Sequence, residues 1–507
     1  MMRTTGADTR AGAPAVKAGS GTVRLMPIAL VLLTACAAGP SYHASPAVAP
    51  DVQLRVAARG DSSRAFFDSL ATARAHDSLT VAHPPAAERT LRYDSATGVA
   101  WLDILHDTTL ERLVQLALTQ NRTVQSAVAR IREYRAEAAS ARTQLFPNVS
   151  INGSESTNQI AFGSTVIGYR AARVTGDMAW ELDFWGRLRR GIEAANADAA
   201  SQDAAERAVL LSLVSDVATG YLQLLELDQE RAIAERTLAS RRATLDLARQ
   251  RYAGGVISEL DVRQFEAQVA APAVTLAQVE RQTALTEHNL SVLLGQAPAS
   301  IDRHGTLAAA VSALRVPDTL SASLLARRPD VQQAERAFAA ATARIGATIA
   351  SNLPTISITG SYGSQGADPS RLFGPNTQVY QLAAGFSFPL AAFSRGADET
   401  AAARARADQA RAAYENAALS ALRDATDALV GVRTSRDLMA AQATQAEALR
   451  HALELAELRY GSGIASYLDV LDAQRNLFAA ELGLSQAQLQ QVTAAVQLYK
   501  ALGGSWR

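Results

Sequence analysis

The 507-residue chain (53.6 kDa) is 48% apolar but only 6% aromatic, and alanine is its commonest residue, a balance that favours long, closely packed helices over a thick aromatic core. Basic and acidic residues tie at 49 each, which leaves no basic field for nucleic acid and no acidic tail. One cysteine excludes a disulfide framework and a thiolate zinc site.

Arg3, Arg10, Lys17 and Arg24 precede an apolar run from Leu25 to Ala35 that is too short to span a bilayer in a mature protein. Residues 1–35 therefore read as a secretory signal. The run ends on Leu33-Thr34-Ala35-Cys36, which resembles the bacterial lipobox. That resemblance implies a covalent lipid on Cys36 as the first mature residue, and Ala37 is not the aspartate that holds such lipoproteins at the inner membrane. Residues 36–100 follow as an acylated start and an extended tether, with one short helix expected over residues 66–75.

The remainder reads as two structural repeats. At an offset of 208, the run Arg251-Tyr252 to Val262 falls on Arg459-Tyr460 to Val470 with seven of twelve positions identical, and Ser150-Ile151 falls on Ser357-Ile358 at an offset of 207. The first repeat spans residues 101–300 as helix, β-hairpin, long helix and return helix; residues 301–330 form an equatorial linker, and residues 331–507 form the second repeat. Each repeat contains 66 residues without proline, Arg187 to Tyr252 and Arg395 to Tyr460. As helices these would each reach roughly 100 Å. Leu210, Leu213, Val217, Gly220, Leu224 and Leu227 recur at spacings of three and four, the seam of a coiled coil. Pro272 should kink the first return helix.

Four short segments alternate with period two. Val149, Ile151 and Gly153 stand against Asn148, Ser150 and Asn152, and Val174, Gly176, Met178, Trp180 and Leu182 against Arg173, Asp177, Glu181 and Asp183. Ile356, Ile358, Gly360 and Tyr362, then Tyr380, Leu382, Ala384, Phe386 and Phe388, repeat the pattern. Alternation alone suits a half-exposed soluble sheet as well as a membrane β-barrel. Strands that interrupt two long helical rods behind a lipid anchor favour the barrel, with the charged row facing an aqueous lumen. Residues 159–168 and 365–378, rich in Gly, Pro and Asn, fit the outer loops of two hairpins. Four strands cannot enclose a lumen, so the reading requires several chains, and three would supply twelve strands.

No enzyme signature emerges. The seven histidines show no ligand spacing, there is no phosphate loop and no nucleophile elbow, and carboxylates such as Asp424 and Asp427 read as the wet face of a helix.

Three runs carry a family resemblance: Cys36-Ala-Ala-Gly39-Pro40-Ser-Tyr42, Leu324-Leu325-Ala-Arg327-Arg328-Pro329-Asp330-Val331, and the close Ala501-Leu502-Gly503-Gly504-Ser505-Trp506. They resemble the signatures of the outer-membrane efflux lipoproteins, the TolC/OprM-type channels of tripartite pumps. The resemblance covers roughly Trp101 to the C-terminus plus the acylated start. It implies a mixed membrane α+β fold: four strands per chain in a shared twelve-strand barrel, and long helices forming a periplasmic α-barrel. It also implies a homotrimer in the outer membrane, docked to a periplasmic membrane-fusion adaptor and an inner-membrane transporter of the RND type, with no cofactor beyond the lipid on Cys36.

By the same resemblance, Leu468, Asp469 and Asp472, with Arg475 on the same helical face, ring the periplasmic aperture, and Asp261 with Tyr460 form the hydrogen-bonding pair that keeps it shut. Tyr252, Gly255, Ser258, Gly463 and Ser466 are then the tips that meet the adaptor. Three copies of Asp469 and Asp472 would make a cation-favouring collar of mutually repelling carboxylates. The chain departs from the family in carrying Ala465 where well-studied members have an arginine, and in a longer tether over residues 55–96. Two alternatives stay open: the outer duct of type I protein secretion, and a lipid-anchored coiled-coil scaffold that does not conduct. Plain helix N-terminal acids are the alternative account of Asp261, Asp469 and Asp472.

Overall fold

A computed structural model describes residues 38–42, 53–55, 107–314 and 319–504. The signal segment, Cys36 and the helix expected over residues 66–75 lie outside the described residues.

Helices α1 (Thr108–Gln120) and α2 (Arg122–Thr143) lead into a hairpin of β2 (Asn148–Phe162) and β3 (Thr165–Leu182). The chain returns through the 67-residue α3 (Arg187–Ala253) and the 35-residue α4 (Glu259–Leu293). After a short α5 (Leu307–Ala313) the order recurs as α6 (Pro329–Ser351), β5 (Thr355–Gly366), β6 (Gln378–Ser387), the 70-residue α7 (Ala392–Gly461) and the 35-residue α8 (Tyr467–Ala501). A three-residue strand β1 (Gln53–Arg55) pairs antiparallel with β4 (Thr319–Ser321), so the extended tether, for which no strand was expected, contributes one to the linker between the two halves.

The sheet runs in the order β2-β3-β5-β6, antiparallel throughout. Its register collects the apolar positions on one face: Val149 opposes Met178, Met178 opposes Gly360 and Gly360 opposes Leu382, and the next row is Ile151, Gly176, Tyr362 and Tyr380. Val149, Ile151, Tyr362, Tyr380, Leu382 and Phe386 are all more than 60% exposed, which places a continuous apolar surface on the outside of the sheet. The apolar rows from Leu182 up to Val174 cover eight residue steps, about 26 Å, close to the height of the outward apolar band of an outer-membrane barrel. The opposite face is polar. There Asn152 donates to Asp177 (2.6 Å) and Arg173 to Ser361 (3.3 Å).

Two expectations need correction here. The loop expected over residues 159–168 is absent: β2 and β3 stay paired to Phe162 and Thr165, and Gly163, at φ 57°, makes a tight turn. The glycines read as loop punctuation instead lie at the bend (Gly163) and inside the ladder (Gly168, opposite Gln159) of a ribbon exposed on both faces, where alternation carries no signal. Of the charged row, only Arg173 and Asp177 point onto the polar face well inside the sheet. Glu181 is bound by Arg187 (2.7 Å), and Asp183 accepts the Leu188 and Arg189 amides (3.0 and 2.9 Å), capping the start of α3.

Helix α3 is the spine. The coiled-coil seam is present, but Val214, Ala218, Tyr221, Leu222 and Leu225 are buried as well. The helix is enclosed by α1, α4, α5 and α8 in one cluster containing Leu110, Val114, Leu290, Leu307, Val496 and Tyr499. Each fully buried side chain of this size contributes about 1.5–3 kcal/mol. An 18-residue window of α3 is apolar enough to cross a membrane, yet half of it is covered by these neighbours, so it is core.

Candidate functional site: the helical tips and the fastening of the chain ends

The turns joining α3 to α4 and α7 to α8 are built alike. Gly255 (φ 73°) and Gly463 (φ 74°) adopt the left-handed conformation, and the Val256 and Ile464 amides reach back to the Arg251 and Arg459 carbonyls (both 2.9 Å). That geometry closes the carbonyl end of each rod, and a side chain at either glycine would be strained. Ser258 and Ser466 then cap the return helices. Asp261 accepts from the Ser258 amide (2.9 Å) and hydroxyl (2.8 Å), and Asp469 accepts from the Ser466 amide (3.2 Å), a capping box in both turns. The Ser258 amide and hydroxyl hold Asp261 below the usual carboxylate range.

The expected bond between Asp261 and Tyr460 is not formed within the chain. Arg251 donates to the Tyr460 hydroxyl (2.7 Å), and Asp261 is committed to its capping box. Asp261 and Tyr460 do line a common cavity of about 410 Å³, with Arg251, Phe265, Tyr467 and Leu468. Its wall is a row of rings: Tyr460 to Tyr467 at 5.1 Å between centroids, and Tyr467 to Phe265 at 4.3 Å. Burial pushes the Tyr467 hydroxyl well above its ordinary range. Arg251, Phe265 and Tyr467 were missed in the sequence, although Arg251 stands in the duplicated run with Arg459 as its counterpart.

Leu468, Asp469, Asp472 and Arg475 lie together at the start of α8, with Leu468 60% exposed. Arg475 donates to Asp472 at 2.5 Å, and Asn476 donates to it at 3.0 Å. Both aspartates of the expected collar therefore already have a partner in their own helix, and each Asp472 brings a compensating cation. Tyr252, Gly255, Ser258, Gly463 and Ser466 are exposed at the ends of the rods, joined by apolar Val256 (72% exposed) and Ile464 (71%) at equivalent places in the two turns. Among the described residues no cluster of His, Cys, Asp or Glu could hold a metal ion.

The runs that carried the family resemblance prove to be fasteners. Arg328, 8% exposed, binds Asp330 (2.6 Å), Asp424 (3.1 Å) and the Ala501 carbonyl (2.9 Å), so one guanidinium ties α6, α7 and the end of α8 together. Asp424, expected on the wet face of a helix, is half-buried and paired with Arg328 and Arg423, whereas Asp427 is exposed. At the other end of the chain, the Ala38 amide donates to the Trp185 carbonyl (2.9 Å), and the Arg190 guanidinium reaches the Ala38 and Gly39 carbonyls (3.4 and 3.3 Å). Tyr42 stacks edge-on against Phe338 and donates to Glu335 (3.2 Å). Residues 38–42 are thus held where β3 gives way to α3.

Comparison with known proteins agrees with this architecture. Residues 113–296 and 320–504 match the outer membrane efflux protein family. The probable efflux pump outer membrane protein TtgC of Pseudomonas putida is 34% identical over 421 residues, covering 81% of this chain and 86% of that protein. Outer membrane protein OprJ of Pseudomonas aeruginosa is 31% identical over 413 residues, covering 80% and 86%. The outer-membrane channel OprN superposes with a TM-score of 0.76 at 27% identity, covering 93% of this chain and 100% of that one. The open state of the Neisseria gonorrhoeae MtrE channel gives 0.72 at 29% identity, covering 78% and 89%. The chain belongs to the outer membrane efflux protein family: it is an efflux channel of the outer membrane whose helices extend into the periplasm.

Proposed function

We propose that three copies of this chain assemble into one duct that receives substrates from a periplasmic adaptor and an inner-membrane transporter of the RND type. The observation that carries the reading is the open four-stranded sheet. Its apolar face is uncovered and its polar face carries Arg173 and Asp177, so the chain completes neither a lumen nor a lipid-proof edge alone. Unpaired strand edges in hydrocarbon cost several kcal/mol per backbone group, which makes a closed barrel shared between chains the stable arrangement. A covalent lipid on Cys36 fits the docking of residues 38–42 at the strand-to-helix junction, the level at which a barrel leaves the membrane.

The gate of this duct is the start of α8. Leu468 and the pair Asp472 and Arg475 face out of the single chain, and the Arg251 to Tyr460 bond joins the two rods beside them. The exposed tips, Tyr252, Val256, Leu260, Ile464 and their turns, meet the adaptor. Replacing both Asp469 and Asp472 with Ala should raise conductance across planar bilayers and reduce cation preference. Unchanged currents from intact oligomers would defeat the gate assignment.

A further inference from the structure

Arg241 is an arginine buried deep in α3, 3% exposed, and among the described residues it forms no ion pair. Burial without a carboxylate lowers its pKa, and its Nε has no partner. A buried charge of this kind is expensive and persists only where other polar groups compensate it. Two carbonyls do so. Nη1 donates to the Gln268 carbonyl on α4 at 2.8 Å, and Nη2 to the Gln474 carbonyl on α8 at 3.5 Å. The Phe478 ring lies 5.3 Å from the guanidinium carbon.

The Gln268 carbonyl is available for a definite reason. In a regular helix it would accept the amide of the residue four further on, which is Pro272, and proline has no N–H. Helix α4 nonetheless runs unbroken from Glu259 to Leu293 with Pro272 buried inside it. The proline thus frees an acceptor at the height where the arginine of the neighbouring rod points. The second acceptor, Gln474, sits between Asp472 and Arg475 at the proposed aperture. Below this level lies a separate small core of Leu245, Ala248, Val262, Phe265 and Leu471.

We infer that Arg241, with the carbonyl that Pro272 frees on α4 and the Gln474 carbonyl on α8, is a brace that fixes both return helices against the rod and so holds the tip core in its closed position. Arg241 is a positioning residue: it acts on the aperture through α8 and touches no cargo. The shorter bond anchors α4, and the longer bond to Gln474 is the one that yields when α8 moves. The inference rests on the gate reading above.

The test uses the full-length channel in planar bilayers, with the helical melting curve of each variant recorded alongside. Arg241→Met should raise resting conductance several-fold without changing the helical content. Arg241→Lys, which keeps a charged donor, should restore most of the resting state. In a Pro272→Ala background the Gln268 carbonyl regains its helical donor, so Arg241→Met should raise conductance less than it does alone. Should Arg241→Met fail to assemble, Arg241→Gln, which keeps an N–H donor without the charge, should still conduct more than Arg241→Lys. Wild-type conductance in Arg241→Met, failure of Lys to rescue, or strict additivity with Pro272→Ala would overturn the brace. Asp472→Ala measured in parallel separates the two readings: if it opens the channel while Arg241→Met does not, the gate stands and the brace falls, and if neither opens it both fall.

Discussion

Glu226 offers a quantitative test of the helical interior. It is 4% exposed on α3, one turn from Glu230, which accepts from Gln486 of α8 at 3.1 Å. One of its carboxyl oxygens has no partner. Burial first, then the hydrogen bond and charge of Glu230, push Glu226 from 4.5 up to about 8. In this window the unfolded carboxyl has lost its proton while the folded one keeps it, so the fold weakens as pH rises from about 4.5 to about 8 and levels off above. At about 1.36 kcal/mol per pH unit the full span approaches 5 kcal/mol. Water around half-buried Glu230 screens the pair, which brings the expected effect to about 2–3 kcal/mol per chain. For a chain of this length that is an apparent melting shift of about 2–3 °C. Helical circular dichroism of detergent-solubilised protein at about pH 5 and about pH 8 should show the wild type losing that much more stability than Glu226→Gln. Equal pH dependence in the two proteins, or a wild type that gains stability with pH, would refute the reasoning.

Arg328→Ala should lower stability by about 1.5–3 kcal/mol, because the Ala501 carbonyl loses its charged donor while the half-exposed Asp330 and Asp424 stay hydrated and Asp424 keeps Arg423; denaturant titration measures it, and Asp424→Asn should cost less. Gly39→Ala should release residues 38–42 from the junction of β3 and α3. Its φ is 94° and an added Cβ would lie 2.3 Å from the Gly346 Cα; faster proteolysis ahead of Ser41, with channel stability retained, checks it. Ile464→Asp and Val256→Asp should leave the folded channel intact, since both side chains are more than 70% exposed, but should weaken binding to the cognate adaptor in surface plasmon resonance.

The rods, their turns and the sheet faces were legible because each rests on a local rule. Pro-free periodicity sets the rods, the Gly and Ser-x-x-Asp pattern sets the turns and caps, and alternation sets the faces. What could not be read was the pairing between segments far apart in sequence. Asp424 looks like any surface aspartate until Arg328, nearly a hundred residues earlier, is placed beside it. Pro272 looked like a defect until Arg241 was found opposite the carbonyl it frees. The tips show where reasoning by resemblance stops: Leu468, Asp469, Asp472, Asp261 and Tyr460 all lie there, and within the one chain Asp261 and Asp469 serve as helix caps while Tyr460 accepts from Arg251.

Beyond the four-stranded sheet, which ends where Ala172 meets Gly366, β2 and β3 continue as a two-stranded ribbon up to Phe162 and Thr165. The side chains of residues 156–161 and 165–170 are exposed on both faces, so hydrogen bonds along the ladder hold its shape with little help from packing. Such a ribbon tolerates almost any solvent-compatible sequence that keeps Gly163 at its bend. The portion of the molecule presented to the cell's surroundings is thereby the portion freest to drift, and natural variants of this protein should be hardest to align there. A short epitope grafted into this stretch should be displayed on living cells without disturbing transport.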